Sequence, residues 1–412
     1  MQLSHVHSQY VRALVQCSAF HYTLGMEPLT AFTLDDDAPA EDAALTEASC
    51  ALVLGRLDGL VAGLSDDEKT LFCMHLLRRT LIAALLQSGF TDAEMRFDHW
   101  FAGLERAPLE TPLTPCPAHT IVRALLTELG HHPWELLSAA ARTISAAARF
   151  TADGSDNSAV GLPTKALEAA RGLIGEGPLP FVSASSLPFA ALEQLNRRLR
   201  QSALFAPIER GAAVLPLLGR DVAIERAGIR TPLWALDALQ GRLLASCGAW
   251  RVPLPCPGAV TAEALRPVLG PCSRRIVMAE RLAASVQGLI ELAETARRQA
   301  MRMHHSLGHL RSSARAPQVW MLLAGFAPLG LEQMGVAFGI TRRGTYAVRD
   351  ALVDAGMARV ETVRGKVLLV ATGEHERAIQ MSSERSGALP SPLLAEFDAA
   401  MDEIDRLLER TR

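Results

Sequence analysis

Along most of the chain the apolar positions recur every three or four residues, the period of a helix that buries one face. The spacing is regular between Leu52 and Leu64. The stretch that follows, "SDDEKTLFCMHLLRRTLIAALLQSG", opens on Ser65 as a candidate N-cap, places acids in the first turn and ends at Gly89, which predicts one buried helix in an all-α layer. "TADGSDNSAVGLP", at 151–163, is polar and rich in turn formers and marks a boundary. From 164 to 272 helical segments alternate with breaks such as "GEGPLPFVSASSLP" and "RVPLPCPG", where proline interrupts any helix or ladder. These patterns divide the first part into a helical N-terminal domain, 1–150, and a Pro-interrupted helical middle domain, 151–272.

The clearest periodicity comes next. Leu282, Val286, Leu289, Ala293, Ala296, Ala300, Met303, Leu307 and Leu310 follow alternating spacings of four and three. This predicts one long helix over 273–311, roughly 57 Å at 1.5 Å per residue. A seam this narrow suits a partner helix and makes the segment the expected dimerisation element of a homodimer; packing inside its own subunit is the alternative.

Residues 312–372 parse as helix, helix, turn, helix and hairpin. "PQVWMLLAG" starts at Pro317 and stops at Gly325; "GLEQMGVAFG" follows, with Met334 and Phe338 facing inward and Gly335 permitting close approach of another helix. Gly339 supplies a left-handed turn residue, Ile340 plugs the core and Thr341 caps the third helix. On that helix Thr345, Val348 and Leu352 point one way, while Arg342, Tyr346 and Arg349 point the other, with Arg343 beside them. Gly344 lowers helix propensity by about 1 kcal/mol, so a close contact, such as a phosphate, is expected there. "MARVETV" and "KVLLVA" read as strands joined at Arg364-Gly365. An apolar side held by the domain and an arginine side free to reach base edges is the arrangement a recognition helix needs, with the hairpin as a wing along the backbone. The candidate DNA-binding residues are Thr341, Arg342, Arg343, Thr345, Tyr346, Arg349, Arg364 and Lys366. The expected fold class is therefore mainly α, ending in a winged helix-turn-helix, with 373–412 as a polar linker and an acidic amphipathic helix.

Charge supports this reading by position. The 412-residue chain has a formal charge of −3, but residues 273–372 hold 14 Arg or Lys against 7 Asp or Glu, a local +7 that leaves −10 for the remainder. Such asymmetry is the footprint of one module meeting a polyanion. No run of roughly 18 apolar residues is free of charge, Pro or Gly, and "MQLSHVHSQYVRALVQ" lacks the features of a signal peptide, so a cytoplasmic protein with no membrane partner is expected. The seven cysteines include no C-x-x-C pair and are expected to be reduced and mainly buried.

Other candidate chemistry fails. His305 and His309 lack a third ligand, since His304 points elsewhere; Cys116 with His119 and the His131-His132 pair are weaker still. "HHPWELLSAAAR" lacks the glycine and asparagine of AMP-transferring Fic enzymes, and "GEG" and "RGK" lack the glycines of a nucleotide loop. No metal, cofactor or enzymatic activity is expected. Phe205, Trp234 and Trp250 among prolines are either core or the lining of a pocket for a small-molecule effector.

From about Arg281 to Ala371, the long helix, "RSSARAP" and "MGVAFGITRRGTYAVRDALVDAGMARVETVRGK" together resemble the rhizobial helix-turn-helix, or winged-helix, DNA-binding proteins that carry an uncharacterised helical N-terminal domain. The resemblance implies transcriptional regulation through double-stranded DNA. The alternative is a scaffold or adaptor for chromosome or plasmid maintenance, using the same module for protein contacts.

Overall fold

The computed structural model describes residues 38–111, 113–150, 161–175, 188–207, 212–217, 220–225, 230–310 and 314–373. The fold is mainly helical, with twelve α-helices among the described residues. Helix α1 is Ala40–Ala62 and α2 is Asp66–Gln87. Ser65 starts α2 as expected: its side chain accepts from the Glu68 amide while the Glu68 carboxylate accepts from the Ser65 amide. Gly89, at φ 97°, takes the left-handed turn after it. Ten residues of α2, from Leu71 to Leu85, are buried, so this helix has apolar neighbours on several sides. The short α3 is Ala93–Phe101, α4 is Ala118–Leu129 and α5 is Glu135–Ala147.

The middle region contains α6 (Gly161–Ile174), α7 (Pro188–Gln201), strands β1 (Ala212–Leu217) and β2 (Arg220–Glu225), and α8 (Trp234–Ser246). The antiparallel β1–β2 hairpin corrects the expectation of a purely helical segment. Its β-branched residues Val214, Val222 and Ile224 favour extended backbone. Phe205, Trp234 and Trp250 are buried in the core, and the Trp250 indole donates to the Leu54 carbonyl at 3.3 Å. Of the two alternatives for these residues, the structure shows the core. Asp237 on α8 is also buried, its carboxylate accepting from the amides of Gly258 (2.7 Å) and Val260 (2.8 Å) and from the Gln87 side chain (2.6 Å).

The long helix α9 spans Pro271–Leu307, with Pro at its first turn, where a missing N–H costs nothing. Its 37 residues match the expected length. The expected partner is what changes: Leu282, Val286, Leu289, Ala293, Ala296, Ala300, Met303 and Leu307 are all buried against α1 and α2 of the same chain. Three alanines keep the seam shallow enough for this close packing. The seam thus supplies no free dimerisation face. The same packing removes the boundary expected at 272, because α9 is part of the helical body.

After α9 come α10 (Ala316–Gly325), β3 (Leu329–Gly330), α11 (Leu331–Phe338), α12 (Arg342–Asp354), β4 (Ala358–Val363) and β5 (Lys366–Ala371). The antiparallel sheet has the order β3-β5-β4. α10 lies against α2 so closely that a Cβ at Gly325 would stand 2.6 Å from the Met74 Cβ. Phe326 joins Phe97 and Phe101 edge to face, with ring centroids 5.7 and 5.0 Å away, and Phe150 joins the same cluster. Gln333, buried on α11, donates to the carbonyls of Phe101 (3.1 Å) and Ala147 (2.9 Å). One continuous hydrophobic core therefore includes residues from Cys50 to Ala371. The acidic amphipathic helix expected over 392–412 lies outside the described residues.

Candidate nucleic-acid interface

The turn between α11 and α12 forms as its sequence suggests. Gly339 closes α11 at φ 62°, ψ 36°, a left-handed conformation in which a side chain is disfavoured. The Ile340 amide donates to the Gly335 carbonyl at 2.9 Å, and the Thr341 hydroxyl accepts from the Gly344 amide at 3.3 Å as the N-cap of α12. A Cβ at Gly335 would approach the Ile340 carbonyl to 3.2 Å, so glycine lets the turn close back on α11.

Leu352 is 0% exposed, and Val348 is half-buried beside it. Thr345 is 2% exposed, with its hydroxyl donating to the Arg342 carbonyl at 2.7 Å. This corrects its inclusion among the DNA-contacting side chains: it packs on the domain side. Gly344 is also explained internally. A Cβ there would lie 2.5 Å from the Ile340 Cγ2, so the missing side chain makes room for the Ile340 plug without any phosphate.

The opposite face is open. Thr341, Arg342, Arg343 and Tyr346 are exposed, and among the described residues neither Arg342 nor Arg343 has a hydrogen bond or ion pair through its side chain. The Arg349 guanidinium lies 4.9 Å from the centre of the Tyr346 ring and bonds to Asp350 at 2.8 and 2.6 Å. Arginine 349 is thus held along the helix surface.

The β4–β5 turn places Arg364 at φ 50° and Gly365 at φ 77°, the two positive angles of a tight hairpin turn. Its cations are turned toward the chain itself. Arg364 pairs with Glu105 at 2.6 Å, and the Lys366 ammonium donates to the Gly103 carbonyl at 2.9 Å. Leu368 and Val370 pack on Ala102, with Val363 and Leu104 beside them. Both residues are exposed, as expected of a wing tip, but neither side chain is free: the loop after α3 holds both.

Glu105 was not visible as a site residue, because it lies far from the hairpin in sequence and no local motif marks it. Its carboxylate also receives Arg96 at 2.9 and 2.6 Å and faces His99 at 3.3 Å. Burial would raise its pKa, but the Arg96 hydrogen bonds and the charges of Arg96, Arg364 and His99 outweigh that and lower it. Glu105 is thus an anion at neutral pH with cations around it.

No family model matches the chain, and no curated protein matches it significantly. Among the described residues, no helix is long and apolar enough to cross a membrane.

Proposed function

We propose that residues 314–373 form a winged helix that binds double-stranded DNA in the major groove through α12, and that the protein is a transcriptional regulator of the kind its sequence resembles. The observation that carries this reading is the division of α12. Thr345 and Leu352 are buried, while Arg342, Arg343 and Tyr346 stand exposed on the other side and neither arginine is neutralised by an acid among the described residues. An arginine kept in water without a partner gains from a phosphate or from the two acceptors on a guanine edge. The helix–strand–helix–helix–hairpin order and the sheet order β3-β5-β4 support the winged-helix reading. Glu105 and the Gly103 carbonyl hold the cations of the hairpin, so in this reading α12 carries the contact.

The test is selection of bound fragments from genomic DNA by the full-length protein, followed by titration of the recovered site across salt concentrations. Arg342→Ala is expected to cost about 1–3 kcal/mol at a specific site and to relax selectivity at one position. Affinity unchanged by Arg342→Ala together with Arg343→Ala, or binding indifferent to salt, overturns the proposal.

A further inference from the structure

A cavity of about 610 Å³ lies where α2 and α9 of the helical body meet α10 and the end of β5. This volume falls in the range of small-molecule sites. Its apolar wall includes Ile82, Leu86, Leu292 and Trp320, and its polar wall is dominated by arginine: Arg78, Arg79, Arg298 and Arg302, against, among the described residues, the single acid Glu94.

These arginines differ in how they are held. Arg78 bonds to Asp98 and to the Phe326 carbonyl, and Arg302 donates to the Thr372 carbonyl at 2.5 Å and hydroxyl at 2.9 Å. Both fasten the C-terminal module to the body. Arg298 donates to the Thr295 hydroxyl at 2.9 Å. Arg79 is half-buried and, among the described residues, has no hydrogen bond or ion pair.

The Arg79 guanidinium has a place made for it. A Cβ at Gly288, a buried position within α9, would stand 2.2 Å from two of its nitrogens. Glycine is a poor helix former, so its presence inside a long helix needs a packing reason, and the close approach of Arg79 supplies one. A cation removed from part of its water and given no counter-charge is the group that an incoming anion stabilises.

We propose that this cavity binds a small organic anion, its carboxylate or phosphate seated on Arg79 and its apolar body on the Ile82–Leu292–Trp320 wall. Arg302 lines the same cavity and holds Thr372, just past β5, so occupancy acts on the seating of the DNA-binding module; this coupling rests on the DNA-binding reading, whereas anion binding does not.

The experiment is calorimetric titration of the full-length protein, without DNA, using 2-naphthoate, its neutral amide 2-naphthamide, and inorganic phosphate. Naphthoate is expected to bind more tightly than both, because it alone offers charge and an apolar body. Arg79→Met and Arg79→Gln are each expected to weaken naphthoate binding by roughly 10- to 100-fold, the effect of losing a charge-assisted hydrogen bond, and to leave amide binding unchanged. Circular dichroism of both variants checks that they fold. No binding of naphthoate to the wild type, equal binding of acid and amide, or unchanged naphthoate affinity in a folded Arg79 variant overturns the proposal. A DNA titration with and without naphthoate then tests the coupling alone: DNA affinity unaffected by saturating naphthoate refutes coupling, while absence of DNA binding in both refutes the DNA reading and leaves the calorimetric result standing.

Discussion

Replacing Glu105 by Gln tests whether the β4–β5 hairpin, the wing of the proposed function, is held in reserve by the helical body. In the wild type Arg364 meets the Glu105 carboxylate at 2.6 Å, and Arg96 meets it through two nitrogens. The carboxylate side chain is only 9% exposed, but that of Arg364 is 59% exposed, so solvent screens much of this attraction. About 0.5–1 kcal/mol per arginine is a reasonable scale, and Glu105→Gln is expected to lower stability by about 1–2 kcal/mol. Because the folded pKa of Glu105 is lowered, its contribution is present above its ordinary value of 4.5 and is lost as pH falls below that. The same change releases Arg364. Each new phosphate contact steepens the dependence of log K on log salt by about 0.9. Anisotropy titrations of a selected DNA site between roughly 50 and 200 mM salt, a range in which such slopes are resolved, read this directly. In the wild-type background Arg364→Ala is expected to leave the slope unchanged; in the Glu105→Gln background it is expected to reduce it by about 0.9. Equal effects of Arg364→Ala in both backgrounds refute the idea that Glu105 withholds the wing.

Two further substitutions examine interior features. Asp237→Asn puts an amide NH2 where a carboxyl oxygen accepts hydrogen bonds, leaving at least one of the surrounding donors opposed by an N–H, and is expected to destabilise by about 1–3 kcal/mol at pH 5. Burial, working against hydrogen bonds from Val260, Gly258, Gln87 and Ala259, pushes the Asp237 pKa up to about 7 from 3.8, so its contribution declines as pH rises through that window. Urea unfolding from pH 4 to 8 should show that fall in the wild type and a flatter profile in Asp237→Asn; parallel profiles refute it. Gly344→Ala gains about 1 kcal/mol of helix propensity but forces the β-branched Ile340 off its rotamer. Unfolding at fixed pH should show no net gain, and a stabilisation of about 1 kcal/mol refutes the packing account.

What could be read from sequence was governed by neighbours a few residues apart. Ser65 with Glu68, Gly339 with Thr341, and the stripe from Leu282 to Leu307 are such cases, because caps and helical faces are set within one or two turns. The partner of that stripe was not legible: an apolar seam looks the same whether it meets α1 of its own chain or a second molecule. The β1–β2 hairpin was hidden by Pro216, which reads as a break although it sits within an antiparallel strand. At the candidate interface the two faces of α12 followed from spacing. The capture of Arg364 and Lys366 by residues 103–105 did not, since it depends on how distant segments fold together. The room that Gly288 leaves for Arg79 is illegible for the same reason.

The ring cluster of Phe97, Phe101, Phe150 and Phe326 bears on how this protein can be cut or recombined. Severing the chain near 312 would strip Phe326 of its aromatic neighbours and leave the flank of α10 that meets α2 bare to water. Residues 314–373 are accordingly not an interchangeable cassette. Heat or denaturant should melt it in the same transition as the helices before it, and grafting it elsewhere requires a host that supplies an equivalent oily seat.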